Sequence, residues 1–151
     1  MKVFSEKFDM EKDTMNKYLD FTKPPKEEEV YHYVRYVTVS CKMENEIPII
    51  CLVYIERLLT KVGILLTNET WKRLILISLC MASKIWDDDS LENVHFPKVM
   101  SDVTLRTIMK LEKAFLDLLN YDLVVKGGEY AKYYFILRTL ASEIDTDLKP
   151  K

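Results

Sequence analysis

One stretch of the sequence is apolar almost throughout, Leu74-Ile75-Leu76-Ile77-Ser78-Leu79-Cys80-Met81-Ala82. It belongs to a helix predicted from about Asn68 to Trp86, and it leaves that helix almost no polar face. A helix that is apolar all round is buried on all sides. We therefore predict that this helix lies at the centre of the fold and that other helices pack around it.

The rest of the chain also predicts helices, because the sequence has only 3 glycines and 5 prolines in 151 residues. Helices are expected at about 27–42, 48–62 and 104–119, and a last one follows Gly127-Gly128. No stretch alternates with the period of two that is typical of a strand. We predict an all-α fold of five helices around the central one, with flanking helices at each end. The apolar side of the 48–62 helix is predicted to be Leu52, Ile55, Leu58, Leu59 and Val62.

The length fits one domain with a usable hydrophobic core. We expect three parts along the chain. Residues 1–25 form an N-terminal helical extension that ends at Pro24-Pro25, since proline does not continue a helix. Residues 26–142 form the helical domain with its C-terminal flanking helix, and residues 143–151 form a polar tail.

Composition excludes several classes of partner. The formal net charge is -2 and no basic run is present, which argues against binding to nucleic acid or to an anionic membrane surface. The longest apolar run is far shorter than the roughly 20 residues of a membrane span, so no direct membrane insertion is expected. Met1-Lys2-Val3 does not open a signal peptide. We expect an intracellular protein, cytoplasmic, nuclear or both, whose three cysteines are buried thiols.

No pattern in the sequence indicates catalysis. His32 and His95 have no cysteine or histidine at zinc spacing, and no glycine-rich phosphate loop or nucleophile elbow is present. The run Asp87-Asp88-Asp89 is without the alternating ligands of a calcium loop and reads as a solvated acidic loop. We predict no catalytic residue, metal, cofactor or small-molecule substrate.

Two polar residues lie at the margins of apolar stripes. Lys84 follows the apolar run directly, and Glu112 stands between Ile108 and Phe115 in the 104–119 helix. In one interpretation Lys84 extends to solvent and Glu112 pairs with a neighbouring lysine. In the other, the two side chains hydrogen-bond the backbone of a partner. Spacing alone favours the first.

The same regions resemble a known family. Two strings resemble the third- and fifth-helix signatures of the cyclin box, Ala82-Ser83-Lys84-Ile85-Trp86-Asp87-Asp88 and Leu111-Glu112-Lys113-Ala114-Phe115-Leu116. Four more are similar to the cyclin Y branch: Val30-Tyr31-His32-Tyr33-Val34-Arg35, Leu52-Val53-Tyr54-Ile55-Glu56-Arg57-Leu58-Leu59, Trp71-Lys72-Arg73 and Tyr130-Ala131-Lys132-Tyr133-Tyr134-Phe135. The resemblance runs from Val30 to Ala141 and implies a single five-helix cyclin box.

A cyclin of this branch implies a cyclin-dependent protein kinase of the PCTAIRE/PFTAIRE type as partner. The resemblance places Lys84 and Glu112 where cyclins bond the backbone around the kinase αC helix, and it reverses the preference between the two interpretations. Trp86 is a candidate for selecting the kinase. The apolar pocket for an αC side chain is expected from Met81, Ile85, Leu116 and Leu123.

The resemblance also implies an ion pair between Arg35 and Glu56 that ties the first box helix to the second. It does not extend to substrate docking, because Lys26 to Val30 stands where cell-cycle cyclins carry their docking patch. The function expected is a regulatory subunit that activates a kinase by positioning αC. The alternative is a helical adaptor with a cyclin fold and no kinase output; a nucleic-acid-binding module is disfavoured by the net charge.

Overall fold

The computed structural model describes residues 23–68, 70–86 and 104–148, with side chains up to residue 141. All regular structure in these ranges is helical, which confirms the predicted all-α fold. The N-terminal helix predicted within residues 1–22, the acidic loop after Trp86 and the last three residues lie outside the described residues. The helices are α1 (Glu27–Ser40), α2 (Ile47–Arg57), α3 (Trp71–Trp86), α4 (Leu105–Leu118) and α5 (Gly127–Leu148), and a π-helical turn (Leu58–Val62) extends α2.

α3 is the central helix, as its composition predicts. It packs most extensively against α2 and also contacts α1 and α4. The serine in its apolar run, Ser78, is fully buried with the rest. The buried residues of α3 are Trp71, Leu74, Ile75, Leu76, Ile77, Ser78, Leu79, Cys80, Met81, Ala82 and Ser83.

The helix starts follow local sequence signals. Three glutamates occupy the first turn of α1, where negative charge is favoured by the helix dipole. Pro48 stands in the first turn of α2, where its missing N–H breaks no helical hydrogen bond. The Thr104 side chain accepts a hydrogen bond from the Thr107 N–H at 3.1 Å and caps α4.

The apolar side predicted for α2 and its extension is only partly correct. Of the predicted residues, Leu58 alone is fully buried, and the others are half-buried or packed at the edge of the core. The reason is that α2 contacts both α3 and α5, so its surface is covered on two sides rather than one. The buried residues of α2 itself are Ile47, Ile49, Ile50, Cys51, Val53, Tyr54 and Arg57.

The end of α2 is fixed by a glycine. Gly63 has a φ of 81°, in the left-handed region, and its N–H bonds to the Leu58 carbonyl. Glycine adopts this conformation without the steric penalty of a Cβ atom. The predicted end of this helix at residue 62 is therefore confirmed.

Among the described side chains, those at the beginning of α5 lie against the body. Tyr133 is buried, whereas Phe135 is 58% exposed and Leu140 is 48% exposed.

Within the described ranges, none of the helices combines the length and the apolar character that a membrane crossing needs.

Candidate functional site

Lys84 and Glu112 form an ion pair between two helices. The Lys84 Nζ donates a hydrogen bond to Glu112 Oε2 at 2.9 Å, joining the last turn of α3 to the middle of α4. Their side chains are 27% and 25% exposed, so the pair lies at the rim of the core. An ammonium group has three donors and a carboxylate about four acceptor positions. Each group can therefore bond a partner without breaking the pair.

This contact was not anticipated from the sequence. In one interpretation Lys84 extended to solvent and Glu112 paired with a neighbouring lysine, and in the other both side chains bonded a partner. Neither interpretation paired Glu112 with Lys84. Spacing along the chain gives no sign of a contact between residues 28 positions apart. The contact follows from the packing of α3 against α4.

The four apolar residues expected around this pair differ in exposure. Ile85 is 43% exposed, and Leu116 and Leu123 are partly buried against the core. These three can give apolar area to a partner. Met81 is only 5% exposed and belongs to the core, so its side chain supports the surface more than it faces outward. We call Lys84, Ile85, Glu112, Leu116 and Leu123 the candidate surface.

Trp86 and Leu123 are connected through one buried hydroxyl group. The Trp86 Nε1–H donates to the Tyr54 hydroxyl at 3.1 Å, and that hydroxyl donates to the Leu123 carbonyl at 2.8 Å. The Tyr54 ring is fully buried and packs edge-on against Phe115, with centroids 5.6 Å apart. Tyr54 thus holds the end of α3 and the segment after α4 in a fixed relation.

Arg57 binds the same segment beside Tyr54. Its guanidinium donates to the Asp122 carbonyl at 3.0 Å, to the Val124 carbonyl at 2.7 Å and to the Glu129 carboxylate at 2.6 Å. Arg57 is 9% exposed, and these contacts satisfy its buried charge. Sequence analysis missed Tyr54 and Arg57 as site-building residues. The available signal was the spacing of three residues between Tyr54 and Arg57. This spacing places both side chains on the same side of a helix, next to apolar residues.

The predicted ion pair between Arg35 and Glu56 is wrong. Arg35 is exposed, and its Nη1 donates to the Tyr31 hydroxyl at 3.2 Å on the same helix. Across the described residues no ion pair joins Arg35 to Glu56. The inward residue of this part of α1 is Val37, and a position two residues away points to another side of a helix. The buried ion pair of α2 uses the next residue, Arg57, and ties α2 to α5.

The thiols near the site are buried, and burial opposes their ionisation. Burial raises the pKa of the Cys80 thiol well above its ordinary value, with smaller effects from nearby charged groups such as Lys84 and Glu112. Burial likewise raises the pKa of Cys51 and Cys41. The three thiols are free and buried, as predicted. In the part of the chain that the structure describes, no group of acidic, histidine and cysteine residues could hold a metal ion.

The structure is that of an all-helical protein with a buried central helix, and a half-buried ion pair lies at the end of that helix beside the exposed Ile85 side chain. The sequence model of the family described as Cyclin matches residues 4–123, a span that includes α1 to α4. The chain belongs to the cyclin family. Members of this family are regulatory proteins and not themselves enzymes, and the cyclin domain implies a kinase partner in general.

Proposed function

We propose that this cyclin binds a cyclin-dependent protein kinase of the PCTAIRE/PFTAIRE type and activates it by positioning its αC helix. The observation that carries the proposal is the Lys84–Glu112 pair, half-buried at the junction of α3 and α4 and flanked by Ile85 and Leu116. The type of kinase rests on the cyclin Y-like strings in the sequence. A partner of this kind places the complex in the cytoplasm or the nucleus.

The chemistry of activation belongs to the kinase. An active kinase needs a glutamate of αC paired with the lysine of strand β3, and the position of αC controls that pairing. A cyclin that binds only the active arrangement shifts the equilibrium toward it. Taking a 1:99 population to 99:1 requires a roughly 10⁴-fold affinity preference.

The candidate surface divides this task between two kinds of contact. Ile85, Leu116 and Leu123 bury apolar area on αC, which contributes about 25 cal/mol per Å². Lys84 supplies N–H donors and Glu112 supplies carboxylate acceptors for backbone groups around αC, and these directional bonds fix the register of the helix. Because the two side chains already hold each other in place, little side-chain freedom is lost on binding.

Trp86 is the residue that we propose selects among kinases. Its indole is 39% exposed while its N–H is bound inward to Tyr54, so the part left for a partner is the apolar ring. A ring of fixed orientation accepts some partner shapes and excludes others. Trp86→Ala should therefore lower affinity for the natural kinase more than for other cyclin-dependent kinases, and equal losses for all would remove this role.

The first test is capture of kinase activity from lysate of the source cell. The wild-type chain and a Lys84→Ala/Glu112→Ala double variant are immobilised, and protein kinase activity is measured in each eluate, with thermal melts to show that both are folded. Activity retained by wild type and lost by the folded variant supports the proposal. The adaptor alternative predicts captured protein but no kinase activity with either chain.

A further inference from the structure

A groove of about 370 Å³ opens at Trp86. It lies where the start of α2, the end of α3 and the start of α5 meet. Small-molecule pockets usually occupy about 300–1,000 Å³, so this open groove is of a size for one or two side chains of a partner. Its lining residues are Glu46, Ile50, Trp86, Val125, Gly127 and Tyr130.

The walls of the groove are apolar and preformed. Ile50 and Val125 are buried and provide aliphatic surface. The Trp86 ring is held in orientation by the hydrogen bond to Tyr54, and Tyr130 is a half-buried second aromatic ring. A site whose side chains are already ordered loses little entropy when a ligand enters.

Glu46 is the one charged residue among the described residues that line the groove. It is exposed, its side chain does not cap α2, and within the described residues its carboxylate has neither a hydrogen-bond nor an ion-pair partner. Helix α5 begins at Gly127, where free N–H groups carry partial positive charge. A cation in the groove is therefore expected against Glu46 and the Trp86 ring rather than against Gly127.

Aliphatic walls, two aromatic rings and one carboxylate match the chemistry of arginine. Its stem is apolar and packs along apolar surface, and its planar guanidinium stacks on aromatic faces and pairs with a carboxylate through two hydrogen bonds. Lysine has a compact ammonium that cannot make this two-bond contact. Arginine thus uses the aliphatic, aromatic and carboxylate parts of the described lining.

We propose that the groove receives an arginine side chain of the partner kinase, at the edge of the contact with αC. Trp86 lines the groove and is proposed above to contact the kinase, and the unpaired carboxylate of Glu46 complements a cation. The inference rests on the proposed function, and it adds a specific contact: a kinase arginine beside αC recognised by Glu46, Trp86 and Tyr130.

The test measures affinity for a recombinant PCTAIRE-type kinase domain by titration calorimetry. The full chain is compared with Glu46→Gln and Glu46→Lys, and with Glu44→Lys as the control. Glu44 is also exposed, lies two residues away and does not line the groove. We expect Glu46→Lys to weaken binding about tenfold or more and Glu46→Gln about threefold. Glu44→Lys should stay within about twofold. Thermal melts show that each variant is folded.

A second arm identifies the kinase residue. Each exposed arginine of the kinase next to αC is changed to lysine, and one of these changes should weaken wild-type binding but add nothing to Glu46→Gln. Equal affinity of Glu46→Lys and Glu44→Lys would overturn the groove contact. The proposed function would still stand if Lys84→Ala/Glu112→Ala lost binding in the same assay. Failure of the wild-type chain to bind the kinase would overturn both.

Discussion

Arg57 shows how one buried charge organises the surface around it. Its guanidinium reaches two carbonyls and one carboxylate after α4, while Tyr54 holds the Leu123 carbonyl between them. Burying a cation is unfavourable unless it is paired and hydrogen-bonded. Here the two carbonyls lie on the segment between α4 and α5, and the carboxylate lies in the first turn of α5. The position of Leu123 therefore depends on residues of α2 that face away from solvent.

Arg57→Met should destabilise the fold by at least about 2 kcal/mol, because the carbonyls of Asp122 and Val124 lose a charged donor. Urea unfolding of the variant measures this. Arg138→Met, at an exposed position of α5, is the control and should stay within about 0.5 kcal/mol of wild type. Equal stability of the two variants would show that the Arg57 contacts contribute nothing.

Lys84→Ala and Glu112→Ala should each weaken binding to the kinase by about 2 kcal/mol or more, as central desolvated contacts do. Since the two side chains bond each other, the double variant should lose less than the sum of the single losses. Calorimetric titration of a PCTAIRE-type kinase domain provides all three values. Lys61→Ala removes a 65% exposed lysine whose ion pair spans 3.9 Å, and unchanged binding is expected for it. Losses no larger than that of Lys61→Ala would argue against the surface.

The sequence predicted some site residues and not others, for a physical reason. Lys84 and Glu112 could be found because their polar character at the margin of an apolar stripe combines with the cyclin-like strings. Tyr54 and Arg57 were missed, because their spacing of three residues is a weak signal and their role depends on carbonyls that the fold brings to them from more than 60 residues away. The Arg35–Glu56 pair failed because an arginine on the solvent side of α1 cannot reach across to α2.

At the scale of the helices, the sequence predicts where each one begins and ends better than it predicts which face is buried. Prolines, glycines and acidic first turns are local signals, and the predicted helices agree with the observed ones within a few residues. The buried face of α2 was predicted poorly, because α2 lies between α3 and α5 and a periodic stripe describes contact on one side only. The π-helical turn at its end also has no signal in the pattern.

Two glycines at helix ends, Gly63 after α2 and Gly128 in the first turn of α5, provide a matched pair. Gly63→Ala should cost about 1–2 kcal/mol, because its φ of 81° is unfavourable for a residue with a Cβ atom. Gly128→Ala should be neutral or stabilise by up to about 1 kcal/mol, since it lies in helical backbone with open space around the added methyl group. Urea unfolding of both variants checks the signs. A Gly63→Ala chain as stable as Gly128→Ala would mean that the end of α2 relaxes freely.

At the scale of the whole molecule, the other four described helices pack with α3 into one hydrophobic core. Residues from α1, α2, α3, α4 and α5 join a single buried cluster, so the candidate surface is built on a common support. The three thiols belong to that cluster. Their ionisation should therefore make the free energy of unfolding depend on pH in alkaline solution.

The free energy of unfolding should fall above about pH 9. Burial raises the pKa of Cys41, Cys51 and Cys80 above the ordinary value of 9.0. A raised pKa in the folded state gives stability that is fully present below the ordinary value. This stability is lost as pH rises, because the thiols of the unfolded chain ionise first. For Cys51 and Cys80, whose pKa values burial raises most, the expected slope approaches 1.36 kcal/mol per pH unit for each thiol. Burial also raises the pKa of Tyr54 above 10.0, which acts in the same direction at higher pH.

Urea unfolding at a series of pH values measures this dependence. The Cys51→Ala/Cys80→Ala variant is expected to be less stable at neutral pH because it leaves cavities, yet its stability should fall less steeply in alkali. An equally steep fall in the variant would assign the alkaline sensitivity to other groups.

The central claim is that this cyclin activates a kinase through Lys84 and Glu112. The most direct measurement is phosphate transfer to a peptide substrate by a purified PCTAIRE-type kinase, alone, with the wild-type chain, and with folded Lys84→Ala/Glu112→Ala. We predict that wild type raises the rate at saturation and that the double variant, at the same concentration, leaves it near that of the kinase alone. A rate that wild type does not change, or that the folded double variant raises equally, would contradict the account.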